Sequence, residues 1–278
     1  MAVGCMRDVW GACCGAAPGG QNRRMSDFPR EGALPTAVVV GAMKCGTSAL
    51  HAYLAAHPEV VMSELKEVNF FFGRDTAPDG PEDTWWRQGQ WHRGPDWYAA
   101  QFDPRAAVRG ESSPGYTDPA HPEVAARMAR VLPDARLIYL VRDPVQRAVS
   151  QHRHHVRDST EHRPLAQALL DEDSQYLARS RYAERIAPFL EHFRRDQLLV
   201  VVQERLLADR RSQLRRVYAH VGADPDFWHP RLRDLVHVGG EAGPVPDDLS
   251  RRVWELVGDD VDRLKELVGD PLAEWRRG

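Results

Sequence analysis

Lysine is scarce in this chain of 278 residues. Of 37 basic side chains only Lys44, Lys66 and Lys265 are lysines, and arginine supplies the rest. Cysteine is scarce too: Cys5, Cys13, Cys14 and Cys45 make no paired CxxC, which excludes a zinc ribbon or a disulfide scaffold and leads us to expect a reduced, cytoplasmic protein. No apolar run approaches the ~20 residues of a membrane span. Residues 1–30, rich in Gly, Ala and Arg, lack the continuous apolar core of a signal peptide. We expect a disordered tail over 1–30, with Met25 as an alternative start, and one folded domain over 31–278. A formal charge of −3 argues against a general nucleic-acid binder, so clusters of basic residues carry meaning only locally. Neither a membrane nor a nucleic-acid partner is expected.

What is present is organised around Ala37-Val38-Val39-Val40-Gly41-Ala42-Met43-Lys44-Cys45-Gly46-Thr47-Ser48-Ala49-Leu50. A β-branched run leads into a glycine-bounded loop and then a helix-forming stretch. The backbone N–H groups of such a loop and the positive end of the helix dipole converge on an anion. Gly41 and Gly46 have the spacing of a P-loop, but Thr47 stands where its lysine belongs, and the lysine sits in mid-loop at Lys44. A P-loop lysine reaches the β/γ-phosphates beside a hydroxyl that holds Mg²⁺. A mid-loop lysine covers a shorter group instead, one phosphate and the atom bonded to it, so no metal is expected.

Downstream, Val60–Met62 reads as a short strand, followed by Lys66-Glu67 and the aromatic run Phe70-Phe71-Phe72. Residues 73–95, with Trp85, Trp86 and Trp91, read as an irregular excursion of the kind that forms lids or binding loops. Further strands are expected over 108–111, 136–141 and 197–202. Helices are expected over 48–57, 94–102, 122–132, 145–156, 165–170, 182–193 and 211–221, and two more over 246–256 and 260–267. Strands alternating with helices predict an α/β fold: a P-loop-like, doubly wound, mostly parallel sheet with helices on both faces, in one domain. Arg142 lies at a strand tip, with Asp143 and Pro144 opening a helix that carries Ser150. An arginine fork and a hydroxyl make a clamp for a phosphate monoester. His152 and His155 share that helix at i, i+3 without a third ligand at metal spacing.

The stretch 41–50, Lys66-Glu67-Val68-Asn69-Phe70-Phe71, Asp96-Trp97-Tyr98, Leu140-Val141-Arg142-Asp143-Pro144 to Ser150, Ser180-Arg181-Tyr182 and 197–204 together resemble the sulfotransferases that use 3′-phosphoadenosine 5′-phosphosulfate (PAPS). The likeness is to the heparan-sulfate-type branch and its bacterial relatives, and it runs from about Pro35 to Trp275. The resemblance implies that Lys44-Cys45-Gly46-Thr47-Ser48 binds the 5′-phosphosulfate. It further implies that Arg142 and Ser150 hold the 3′-phosphate, that Arg181 and Tyr182 extend that surface, and that Glu67 is the general base. Where the branch carries Glu-Lys-Ser/Thr-Pro-x-Tyr, this chain has Glu111-Ser112-Ser113-Pro114-Gly115-Tyr116, so Ser112 replaces a lysine near the acceptor. Lys66, Ser112, Trp85, Trp91 and His152 are expected on the acceptor side, and the acceptor is read as a small molecule or a glycan. His51, His92 and His152 stand as alternative bases, and Phe227 and Trp228 as candidates for stacking on adenine. A P-loop kinase or NTPase, and a module that binds an adenosine phosphate such as PAP without transferring anything, remain the competing readings.

Overall fold

The computed structural model describes residues 33–233 and 245–275. The expectations for residues 1–30 and for Met25 lie outside the described residues. All five residues of β1 (Ala37–Gly41) are buried. Consecutive strand residues point to opposite faces, so a strand buried at every position must be covered on both. The other strands are β2 (Val60–Met62), β3 (Val108–Ser112), β4 (Arg136–Val141) and β5 (Leu198–Val202). They form one five-stranded sheet in the order β2-β3-β1-β4-β5, with every pairing parallel. β1 runs in the middle, with Val39 opposite Ser112 of β3 on one side and Ile138 of β4 on the other. The chain therefore moves outward from β1 to the β2 edge, returns through β3 and then crosses to β4. That reversal opens a crevice beyond the carboxyl ends of β1, β3 and β4, where ligands bind in sheets of this kind.

The helices that frame the crevice start where strands stop. α1 (Thr47–Ala55) follows the loop after β1, and Pro58 bars its continuation. Short α2 (Gly94–Ala99) and α3 (Val124–Val131) flank β3 in sequence. α4 (Pro144–Arg157) begins directly after β4, with Pro144 at a position where a missing N–H costs nothing and the Asp143 carboxylate accepting the Gln146 N–H at 2.9 Å. Then come α5 (Leu165–Leu169), α6 (Gln175–Ala178), α7 (Tyr182–Leu190), α8 (Gln203–Ala208) and α9 (Arg210–Val221). Sequence reading missed α6 and α8, each under two turns long and with no room for an apolar period to show.

It also split the C-terminal segment in two, whereas α10 is one helix, Asp247–Val268. Gly258 costs a helix about 1 kcal/mol but does not end it. The buried stripe of Leu249, Val253, Val257, Val261 and Leu264 runs through it at helical spacing. The buried Asp260 carboxylate accepts the Ala183 and Glu184 N–H groups at 2.9 and 3.0 Å, tying α10 to the start of α7. The excursion at 73–95 carries two 3₁₀ turns, Glu82–Arg87 and Trp91–Arg93. Among the described residues, no helix is long and apolar enough to cross a membrane.

Candidate active site

The loop between β1 and α1 leads from strand to helix, as the sequence predicts. Lys44 and Gly46 both take positive φ (68° and 95°), turning the backbone so that α1 starts facing the crevice. The first N–H groups of any helix lack internal acceptors. Here Gly46, Thr47 and Ser48 supply them. Cys45 is different: its N–H is given to the Ala42 carbonyl at 3.2 Å, and its side chain is completely buried. Burial pushes the thiol up to about 12. The side chain of Cys45, expected with the loop on the cofactor, packs beneath the loop against the Tyr182 hydroxyl.

The Lys44 ammonium is held below the ordinary lysine range, first by burial and then by the charges of Arg157 and Arg142, with Asp158 and Glu67 pulling the other way. Those influences show what converges there: the β1 loop, the tip of β4, the segment after β2 and the end of α4. Among the described residues, Lys44, Arg142 and Arg181 have no ion-pair partner. Lys44 and Arg142, unneutralised and close enough to act on each other beside the N-terminus of α1, suit a multiply charged anion.

Arg142 is fixed from behind. The Tyr182 hydroxyl donates to the Arg142 carbonyl at 2.7 Å, and the Asp143 N–H donates to Glu204 Oε1 at 2.9 Å. Trp275 donates its indole N–H to the other oxygen of Glu204 at 3.2 Å. Tyr182, expected on the ligand, is fully buried with its hydroxyl committed, so it supports the strand tip instead. Glu204, and Gln203 lying 3.0 Å from where a Cβ on Gly46 would sit, were not singled out from sequence. Their place directly after a buried strand was the available signal. Ser150 is half-buried on α4, and Arg181 precedes α7 with its guanidinium unpaired among the described residues.

After β2, Lys66 Nζ and Glu67 Oε1 form an ion pair at 2.7 Å, with each side chain partly exposed. Glu67 Oε2 has no partner among the described residues. Ser112 is fully buried, and its hydroxyl meets His51 Nδ1 at 3.1 Å. His51 is pushed down to about 4, by burial first and the nearby Lys66 second, which makes it neutral at physiological pH. Ser112 and His51 thus lie under the Lys66–Glu67 pair and are closed off from an acceptor.

Three other acceptor-side expectations are corrected. His152 turns inward, its Nε2 bonded to the Arg163 carbonyl at 3.0 Å and its ring against Tyr176. Trp91 donates to Asp75 at 3.0 Å and packs between Phe70 and the Arg127 guanidinium, which lies 4.6 Å from its ring centre. Trp85 donates to the Gly80 carbonyl and is covered by His92 and Arg93. Both indole rings are half-buried and tie the excursion to itself, Trp91 also to the core, with the indole N–H of each given to a neighbouring oxygen. His154, read from the sequence with His152 and His155 as a rim or solvated histidine, is the histidine of α4 that feels Lys44 and Glu67, its titration lowered by burial first and Lys44 next.

Phe227 packs on His57 at 4.6 Å and Arg211 covers Trp228 at 5.7 Å. His57 lies past the far end of α1, about 13 Å along its axis from the loop. Phe227 therefore sits near the far end of α1 from the loop, while Trp228 lies under Arg211 in the first turn of α9. Among the described residues, no group of three His, Cys, Asp or Glu side chains is placed to hold a metal ion.

Known proteins resemble this chain in sequence and in fold. The chain is 30% identical over 200 residues to mouse heparan sulfate glucosamine 3-O-sulfotransferase 3B1, which covers 68% of this chain and 46% of that protein. It is 26% identical over 192 residues to the bifunctional heparan sulfate N-deacetylase/N-sulfotransferase 1 of Caenorhabditis elegans, covering 62% of this chain and 20% of that one. The chain thus spans about half or less of the length of these curated relatives. Among solved structures, a sulfotransferase from Alicyclobacillus acidocaldarius superposes with a TM-score of 0.71 at 32% identity, covering 88% of this chain and all of that one. The sulfotransferase domain of the Synechococcus PCC 7002 olefin synthase shares the fold, with a TM-score of 0.54 at 17% identity over 87% of this chain and 98% of that one. The family model described as "Sulfotransferase family" matches residues 35–229, from just before β1 to beyond α9, and the chain belongs to that family.

Proposed function

We propose that this protein transfers a sulfuryl group from PAPS to the hydroxyl of a small-molecule or glycan acceptor, releasing PAP. The observation that carries the reading is the mid-loop position of Lys44, at positive φ before the N-terminus of α1, with no carboxylate paired to it or to Arg142 among the described residues. PAPS supplies the sulfuryl group on a phosphate leaving group, and its charges match the cations gathered here. Lys44 and the N–H groups of Gly46, Thr47 and Ser48 face the 5′ end, where they stabilise the charge that develops on the departing phosphate. Arg142, Ser150 and Arg181 hold the 3′-phosphate. Glu67 accepts the acceptor's proton through Oε2, while Lys66 holds Oε1 in the ion pair and so orients the carboxylate. The S–O bond to the phosphate breaks as the bond to the acceptor oxygen forms, and the proton ends on Glu67.

PAP release from PAPS, measured against panels of phenols, alcohols and oligosaccharides, tests the reading. Acceptor-dependent release supports it. PAP binding without any acceptor-dependent release would leave a nucleotide-binding module in its place.

A further inference from the structure

Glu111 is completely buried at the end of β3, opposite Val38, and no lysine or arginine pairs with it among the described residues. Its carboxyl oxygens take three hydroxyl groups: Tyr98 at 2.5 Å and Tyr116 at 2.8 Å on Oε1, and Ser113 at 2.6 Å on Oε2. Two of those hydroxyls are also acceptors. Ser113 Oγ takes the Asn69 N–H at 3.1 Å, and the Tyr116 oxygen takes the Phe70 N–H at 2.9 Å. A third strap, the Glu67 N–H to the Ser112 carbonyl at 3.0 Å, comes from the same strand end.

We propose that Glu111 is a positioning residue for Glu67, acting through Ser113 and Tyr116 to hold the backbone of residues 67–70 against the end of β3. The inference rests on the role of Glu67 given above. Its logic is one of hydrogen-bond direction. Serine and tyrosine hydroxyls each own a single proton. Both protons go to Glu111, so both oxygens turn their lone pairs to the backbone N–H groups of the segment that carries Glu67. The segment needs holding: Glu67 and Asn69 sit at φ 65° and 53°, a left-handed conformation that asparagine visits readily but that a glutamate keeps only when its surroundings impose it. The aromatic run reinforces the straps, with Phe70 stacked on Tyr98 at 4.4 Å and Phe71 edge-on to Tyr116 at 5.4 Å.

Glu111→Gln preserves shape and reverses this direction. In either orientation of the amide, Tyr116 or Ser113 faces an N–H donor, so its oxygen accepts from the amide, its proton turns away from residue 111, and its bond to the Phe70 or Asn69 N–H is weakened by the competition. The expected result is a kcat lower by roughly 10- to 100-fold, the scale of a misplaced catalytic group. PAP affinity should be unchanged, and peptides covering 66–72 should exchange amide hydrogens faster while those covering 42–50 do not. Wild-type kcat with wild-type exchange over 66–72 would overturn the proposal. So would an equal disturbance of PAP affinity and of 42–50, which would make Glu111 a general structural residue.

Should Glu111→Gln fail to fold, Ser113→Ala and Tyr116→Phe each remove one strap. Each should lower kcat at unchanged PAP affinity, and wild-type kcat in both would overturn the inference. If the wild-type protein neither binds PAP nor transfers sulfuryl groups, the functional reading has failed. The exchange measurement then still decides whether Glu111 holds the segment.

Discussion

Replacing Arg142 by alanine separates a phosphate contact from a structural one. The guanidinium is half-buried and has no ion pair among the described residues, so its removal orphans no partner. The backbone at that point is held independently, because the Tyr182 hydroxyl grips the Arg142 carbonyl and Glu204 grips the next N–H, and neither bond uses the side chain. The fold should therefore survive with little change in Tm. Hydrogen bonds to a charged group are worth ~1.5–3 kcal/mol. Deleting the fork should accordingly weaken PAP binding on the order of 10- to 100-fold.

The control is on the ligand side. 5′-AMP lacks the 3′-phosphate, so its affinity should be the same for wild type and Arg142→Ala. Calorimetric titration of both ligands against both proteins closes the cycle. An equal loss for AMP and PAP would place Arg142 on a different part of the nucleotide, and no loss for either would remove it from the site.

Glu67→Gln should lower kcat by ~10²–10⁴, the range of a general base, at unchanged PAP affinity; retained kcat, together with a loss in His154→Ala, would move the base to His154. Gly46→Ala forces a side chain onto φ 95°, at about 1–2 kcal/mol for a left-handed L-residue. The Gln203 tip at 3.0 Å from the new Cβ can move aside, so thermal melts should show a Tm lower by a few degrees and no collapse, and an unchanged Tm would refute the strain argument. His51 titrates at about 4 when folded against 6.5 ordinarily, so the stability it contributes is complete above pH 6.5 and is lost as pH falls towards 4. That loss is on the order of 3 kcal/mol. The Tm gap between wild type and His51→Gln should narrow over that window, and parallel curves would contradict the assignment.

What was legible in the sequence is what local chemistry dictates. Val38-Val39-Val40 bounded by Gly41, and Leu137–Val141 bounded by Arg142, announce buried parallel strands and the loops that leave them. Pro144 marks the first turn of α4 as clearly as Pro58 marks the limit of α1. Side-chain direction was not legible. Tyr182, His152, Trp85 and Trp91 belong to residue types that line pockets and cores alike, and only tertiary packing decided that Tyr182 and His152 turned inward, that Trp91 leaned on the core, and that Trp85 packed within its own loop. Glu111 shows the same limit from the other side. Its buried carboxylate depends on Tyr98, which is distant in sequence, and on two hydroxyls whose second bonds reach Asn69 and Phe70.

The measurement that bears most directly on the account is calorimetric titration of the wild-type protein with PAP and with ATP, each with and without Mg²⁺. Lys44 in mid-loop and the unpaired Arg142 predict tight binding of PAP that needs no Mg²⁺, and negligible binding of ATP. Tight, Mg²⁺-dependent binding of ATP with none of PAP would contradict the 3′-phosphate clamp and make the loop a nucleoside-triphosphate site.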